Sequence, residues 1–300
     1  MRVLITCVGG ELMPQFLFSL KNNKEIKVTL VGIDSNSEAR GKYFCDKFYQ
    51  VPKGRSNEYI RKLKKIVIEE KISLIIPASD EEALKVSKHY DFFKSNKTKI
   101  ACTDFETLKI LNNKEKTYSF LEKKGYQLAK WSTANTGYGF FNQVKNFYDL
   151  NGSLVIKPIS GRGSAGIFII HKPTATLNDI SDKIINFNGI KDFLKRYKNF
   201  TFPKKVIIME KLFGPVCDID LLSWKGAPIS VICRKRIHEN WPNKGHVIMK
   251  NKELRNLGKK IIKDFNLSWL YDCDVMFDNN VFGREPKLLE ASSFFDFLNP

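Results

Sequence analysis

The strongest constraint on the fold lies in the first hundred residues, where short apolar runs alternate with amphipathic segments. Arg2 to Val8, Lys27 to Asp34 and Leu74 to Pro77 read as strands, and Met13 to Asn22 and Glu58 to Glu70 as helices between them. Strand, helix, strand in this rhythm requires crossover connections, which are right-handed and give a parallel sheet. The fold class is therefore α/β. The first strand ends in Gly9-Gly10 and the second in Asp34, features that suit either a tight strand-to-helix turn or a nucleotide-binding one. Ser79-Asp80-Glu81-Glu82 reads as a helix start with an acidic first turn.

With 300 residues the chain is about twice the size of one domain, so two or three packed units are expected. The boundary falls near Thr103 or Asp104, a helix cap, after which Asp104 to Gly125 reads as two short helices. Trp131 to Gly152 is less periodic and reads as irregular chain. Ser153 to Lys157 is a compact strand, followed by a loop with Gly161, Gly163, Ser164 and Gly166 and then the apolar run Ile167 to Ile170. Three glycines let backbone N–H groups approach an anion without Cβ obstruction, and Lys157 could meet the same anion; a mobile turn is the alternative. The loop is not a Walker A sequence, because no Gly-Lys-Ser/Thr is present.

Further strands are expected at Val206 to Met209, Asp218 to Ser223 and Ile229 to Arg234, a helix at Lys252 to Phe265, and a closing hairpin of Leu270 to Phe277 with Lys287 to Glu290. Asp272 and Asp274 share one face of a strand, with Asp278 near its end, and the hairpin can set Glu290 beside Asp274. Neighbouring carboxylates are costly unless neutralised, so they either hold an oxygen-loving cation such as Mg²⁺ or sit at an exposed hairpin end.

Net charge and cysteines narrow the partners less. A charge of +18 admits nucleic acid, an anionic membrane or a polyanionic small molecule, and the lysines are mostly dispersed along amphipathic stretches. Six cysteines lie far apart with no CxxC pair, and they read as reduced core residues of a cytoplasmic protein. No run approaches the ~20 apolar residues of a membrane span, and the start lacks a signal peptide's apolar region. Four histidines without HExxH spacing exclude the common zinc hydrolases, and Ser160 and Ser164 lack the GxSxG elbow of a serine hydrolase.

Taken in chain order, these motifs resemble the ATP-grasp superfamily, in particular its carbamoyl-phosphate-synthase-like and PylC-like carboxylate–amine ligases. Asn113-Lys114 with Thr117 and Phe120-Leu121 resembles the segment whose lysine meets ATP phosphate. Val155 to Pro158 with Gly161 to Gly166 is similar to the strand lysine and phosphate-covering loop, and Glu210-Lys211-Leu212 with Gly214 to the interlobe segment that holds adenine. Asp274 and Glu290 match the two metal positions. The resemblance implies a Rossmann-like preATP-grasp domain over residues 1–103, then an ATP-grasp fold over 104–300. Two α+β lobes would sandwich ATP, a lid lobe over about 130–208 and a C-terminal lobe over 209–300.

It also implies ATP and Mg²⁺ as cofactors, small-molecule carboxylate and amine substrates, and an acyl-phosphate intermediate. Lys114, Lys157, Gly161, Gly163, Ser164, Gly166, Glu210, Lys211 and Leu212 would bind the nucleotide, with Asp218 replacing the ribose-binding Glu where this chain has Val216. Asp274, Glu290 and Ser292 would bind metal, Ser292 standing where the family has Asn. Arg234 and Arg236 are candidates for the transferring phosphate or the substrate carboxylate, or else surface charge. The family's Glu-x-Asn-Pro-Arg is here Glu290-Ala291-Ser292-Ser293-Phe294, and the chain stops at Pro300 where relatives continue. A nucleotide-binding module without turnover is the alternative that follows. No nucleic acid or membrane partner is expected, since the charge alone argues for nucleic acid; an exposed apolar face on the first unit would make the chain a homodimer.

Overall fold

The computed structural model describes residues 1–135, 137, 139–160, 166–173, 184–197, 205–238, 245–277 and 286–293. The alternating N-terminal pattern forms a five-stranded sheet in the order β3-β2-β1-β4-β5. Its strands are β1 (Arg2–Ile5), β2 (Thr29–Asp34), β3 (Lys47–Gln50), β4 (Leu74–Ile76) and β5 (Lys99–Ile100), all parallel. Helices α1 (Met13–Lys21), α2 (Asn57–Glu69), α3 (Asp80–Lys88) and α4 (Tyr90–Ser95) make the connections. Ser79 caps α3 by accepting from the Glu82 N–H, and Asp80, Glu81 and Glu82 occupy its first turn, where the helix dipole favours them. Asp34 accepts the Gly9 N–H at 2.8 Å, so the turn after β1 closes on the protein's own carboxylate.

Two short helices follow, α5 (Phe105–Leu111), capped by Asp104, and α6 (Lys114–Lys123), capped by Asn113. The second sheet is built from β6 (Trp131–Ala134), β7 (Leu154–Pro158), β8 (Ile167–His171), β9 (Ile184–Asn188) and β10 (Val206–Glu210), ordered β6-β10-β7-β8-β9. Helices α7 (Phe140–Asn151) and α8 (Ile190–Tyr197) cover one face. An aromatic cluster fills this core: Phe168, Phe187 and Phe193 pack edge-to-face or stacked with one another and with Tyr197, with centroids 5.1 to 6.2 Å apart. The irregular chain expected over Trp131 to Gly152 is instead β6 and α7. Phe140 and Val144, four apart, bury one stripe of α7, and the flanking Gly139 and Gly152 adopt positive φ.

The third sheet is antiparallel throughout: β11 (Val216–Trp224), β12 (Ala227–Arg236), β13 (His246–Met249), β14 (Trp269–Met276) and β15 (Lys287–Ser293), ordered β13-β12-β11-β14-β15. Lys225 and Gly226 both have positive φ, 47° and 75°, as a two-residue turn matched to strand twist requires. Side chains alternate along each strand. Cys217, Ile219, Leu221, Cys273 and Val275 point to one face, where Leu254, Ile261 and Ile262 of α9 (Lys252–Asp264) bury against them. Each fully buried aliphatic side chain contributes ~1.5–3 kcal/mol. The opposite face is left to Asp218, Asp220, Asp272 and Asp274.

Gly258 sits at the closest approach of α9 to this sheet; a Cβ there would lie 2.8 to 2.9 Å from Leu221, Ile219 and Val231. Gly258→Ala is therefore expected to destabilise the chain by ~1–3 kcal/mol through overpacking, more than offsetting the ~1 kcal/mol that alanine contributes in helix propensity. A urea melt checks this; an unchanged or higher midpoint would show that the helix can back away at no cost.

All six cysteines are free, Cys217, Cys233 and Cys273 buried and the other three half-buried; burial pushes the thiols of Cys45 and Cys102 up to about 12. Among the described residues no helix is long and apolar enough to cross a membrane.

Candidate functional site

The same period of two that builds the second sheet divides β7 between two surroundings. Leu154 and Ile156 face the aromatic core under α7 and α8, whereas Val155 and Lys157 face the third sheet, beside Ile207, Met209 and Leu212. Lys157 is only 8% exposed, and among the described residues it makes no ion pair. Burial, helped by Lys114, lowers its pKa from the usual lysine value, while Glu290 and Asp274 pull the other way.

Lys114 arrives from a different element. Asn113 accepts the Lys116 N–H as the cap of α6, and the Lys114 N–H donates to the Ile159 carbonyl at 2.8 Å, tying the helix start to the end of β7. Its Nζ lies 2.8 Å from Glu290 Oε1. Tyr118, one turn further along α6, donates its hydroxyl to the Leu289 carbonyl of β15 at 2.9 Å. Helix α6, β7 and the terminal hairpin thus meet at one point.

On the third sheet Glu290 stands directly opposite Asp274 in the strand register. Arg236 donates to Asp274 at 2.7 Å and to Asp218 at 3.0 Å, and His246 Nε2 lies 3.0 Å from the other Asp218 oxygen. Arg234 grips Asp220 in a bidentate fork, both contacts 2.6 Å, with Asp272 3.9 Å away. Burial and the carboxylates of Asp218 and Glu290 push Asp274 up to about 6 despite Arg236. Burial would raise Asp218 and Glu290 too, but Arg236 holds the first, and Lys114 with Lys157 the second, below the usual carboxylate range. Asp272, buried and surrounded by Asp274, Asp218 and Asp220, is pushed well above it.

The expected residues fall into four groups. Lys114, Lys157, Asp274 and Glu290 are brought together, with Arg234 and Arg236 alongside. Gly166 is placed at positive φ, 77°, at the start of β8, while Gly161, Gly163, Ser164 and Asp278 lie outside the described residues. Ser292 is described by its backbone alone, opposite Asp272; its side chain also lies outside. Between the second and third sheets, Glu210 accepts from the Lys130 N–H and from Lys287, both at 3.0 Å, the Lys211 N–H donates to the Ser153 carbonyl, and Leu212 is buried. Asp218, expected at a ribose, is fully buried, and strand alternation turns it onto the face of Asp274, where Arg236 and His246 occupy its oxygens. Asp220, His246 and Lys287 were not anticipated. The spacing Asp218-x-Asp220, parallel to Asp272-x-Asp274, was the available signal for the first.

Residues 3–101 match the sequence profile of the PylC-like N-terminal domain. No curated protein matches the chain by sequence. Among solved structures it is similar to the biotin carboxylase domain of Hydrogenobacter thermophilus 2-oxoglutarate carboxylase, a dimer in complex with MgADP, ADP and bicarbonate. That match has a TM-score of 0.67 and 14% identity over 97% of this chain and 63% of the other, so the present chain spans less than two thirds of that protein. It is also similar to Staphylococcus aureus N5-carboxyaminoimidazole synthetase complexed with ADP (0.67, 13%, 100% of this chain and 70% of that). A third is Bacillus anthracis D-alanine–D-alanine ligase complexed with ATP (0.57, 14%, 98% and 86%).

Proposed function

We propose, from a chain that carries the ATP-grasp fold behind a PylC-like N-terminal unit, that it is an ATP- and Mg²⁺-dependent ligase joining a small carboxylate to an amine. Its units are residues 1–103 and 104–300, the latter divided into a lid lobe over about 130–208 and a C-terminal lobe over 209–300. The observation that carries this reading is Lys157, a buried ammonium without an ion pair among the described residues, set beside Lys114, Glu290 and Asp274. A buried cation is costly unless an anion meets it, and a polyphosphate entering between the lobes supplies that anion.

Carboxylate oxygens paired across a hairpin are the donor chemistry that suits Mg²⁺, so Asp274 and Glu290 fit that cation, with Ser292 two residues further along β15 as the third candidate. When bound, Mg²⁺ would neutralise charge on the transferring phosphoryl group. The chain's own residues supply the rest. Lys114 and Lys157 hold phosphate oxygens from two sides, and backbone N–H groups of the loop with Gly161, Gly163, Ser164 and Gly166 cover them and exclude water. Glu210, Lys211 and Leu212 edge the nucleotide where the lobes join. The substrate carboxylate oxygen attacks the γ-phosphorus, ADP departs, and the amine then attacks the acyl-phosphate carbon with loss of phosphate and a proton. Arg234 and Arg236, fixed by Asp220, Asp218 and Asp274, stabilise charge on the phosphoryl group or the carboxylate. The carboxylate is an amino acid or sugar acid.

Calorimetry of ATP with and without Mg²⁺, followed by ADP-release assays over carboxylate and amine panels, tests the reading. Mg²⁺-enhanced binding with ADP release only when both substrates are present supports it. Binding without turnover favours the non-enzymatic module, which Ser292 in place of Asn motivates. Cation binding should also follow pH: because Asp274 keeps its proton up to about 6, affinity for Mn²⁺ should weaken about tenfold per unit below that pH and level off above it. Mn²⁺ titration followed by electron paramagnetic resonance between pH 5 and 8 measures this, and a flat profile would remove Asp274 from the cation site.

A further inference from the structure

A second cleft lies away from the lysine–carboxylate site, between the N-terminal unit and the far end of the third sheet. It encloses about 980 Å³ and is walled by α3, α4 and β5 on one side and by the β11–β12 turn and the α9–β14 connection on the other. That volume is of the order of small-molecule sites, roughly 300–1,000 Å³, and such sites favour domain interfaces. Trp269, on its wall, opens β14, five residues before Asp274, so the two sites are about 17 Å apart along one strand.

Three observations define what the cleft can hold. Trp224 and Trp269 form an edge-to-face pair, centroids 5.4 Å apart and planes at 85°; Trp224 remains 46% exposed with Lys225 Nζ 5.9 Å from its ring centroid, and Tyr90 on the opposite wall is 53% exposed with Lys94 Nζ 5.8 Å from its own, so aromatic rings and ammonium groups meet the cleft together. Five lysines line the cleft, among them Lys97, Lys99 and Lys225, and none makes an ion pair among the described residues. The acidic residues there are fewer and partly committed: Asp104 caps α5, Glu106 pairs with Lys109 at 2.9 Å, and Asp91 is the third. Finally, Trp269 has φ of 79°, a conformation a bulky side chain adopts only when its surroundings impose it, and strained residues of this kind gather at ligand clamps.

We propose that this cleft is a binding site for a planar aromatic ring bearing a phosphate, of nucleoside monophosphate size, distinct from the ATP site. The ring stacks on the Trp224 indole, and the lysines meet the phosphate oxygens.

The test is calorimetry of AMP against the full chain carrying Lys157→Ala, which disables the proposed ATP site, and against the same chain with Trp224→Ala or with Lys97→Glu and Lys99→Glu together. Saturable AMP binding in the Lys157→Ala chain is expected, weakened at least tenfold by each cleft change, with adenosine and inorganic phosphate each at least tenfold weaker than AMP. Two different cleft variants guard against one that fails to fold, which circular dichroism reports. No AMP binding in the Lys157→Ala chain, binding untouched by both cleft variants, or binding of an adenine oligonucleotide without AMP would overturn the proposal. The same titrations with Mg²⁺-ATP on the Trp224→Ala chain report the ATP site separately, so either site can fail without the other.

Discussion

Lys157→Met is expected to weaken nucleotide binding by one to two orders of magnitude while leaving the fold as stable as before or more so. The two halves of that result come from the same burial. A lysine at 8% exposure, its pKa lowered by desolvation, costs the folded state free energy that methionine, of similar shape and without charge, does not. With the folded pKa below the unfolded one, the wild-type chain binds fewer protons folded than unfolded, so this lysine's penalty is largest below the folded pKa and disappears above the unfolded one. The stability gain of Lys157→Met should therefore be visible at pH 7 and fade in strong alkali. Against that, a charge-assisted contact with phosphate is worth ~1.5–3 kcal/mol, so ATP affinity should fall about 10- to 150-fold. ADP release, where charge on the transferring group grows, should fall ~10³-fold. Calorimetry, urea melts and an ADP-release assay on one preparation decide it. Destabilisation with unchanged ATP affinity would make Lys157 a structural residue and remove the basis of the proposed site.

Arg236→Ala should give the opposite pattern, a large loss of stability. Asp218 is fully buried, and Arg236 is the cation that keeps its carboxylate ionised there, while a second guanidinium edge holds Asp274. Removing one partner of a buried ion pair leaves the other uncompensated, at a cost of ~3–5 kcal/mol. The pH dependence identifies the cause. In the wild type, Asp218 has a depressed pKa, so its contribution is present above the unfolded carboxylate value and is lost as pH falls through the folded one. In Arg236→Ala the stranded carboxyl prefers to be neutral, and stability recovers on acidification. The two curves should converge towards pH 4 and diverge above pH 6 in urea melts. A difference below 1 kcal/mol at pH 7 would mean that water or rearrangement replaces the arginine.

What could be read from the sequence followed from how local each signal is. The parallel N-terminal unit, the paired helices at Asp104 and Asn113 and the terminal hairpin are announced by periodicity and caps within a few residues, and the register that sets Glu290 against Asp274 follows from the hairpin. β5 is two residues long and β3 has only exposed and half-buried positions, so neither carries an apolar run to detect. α7 was hidden by glycines that flank it rather than interrupt it. The partners of Arg234 and Arg236 were beyond local reading, because Asp220 and Asp218 lie 14 and 18 residues away and meet them only through the β11–β12 register. The surroundings of Asp218 were beyond local reading for the same reason: nothing near it in sequence shows that its strand face carries Arg236 and His246.

The divided loyalties of β7 bear on how the chain can vary in length. Insertion or deletion of one residue between Leu154 and Lys157 would turn the ammonium into the phenylalanine cluster beneath α7 and α8 and send an isoleucine out towards Glu290. No compensating substitution at a single position repairs both errors. Homologues should accordingly tolerate gaps in the connections around this strand and show none within it, a pattern that an alignment of natural variants would register without any assay.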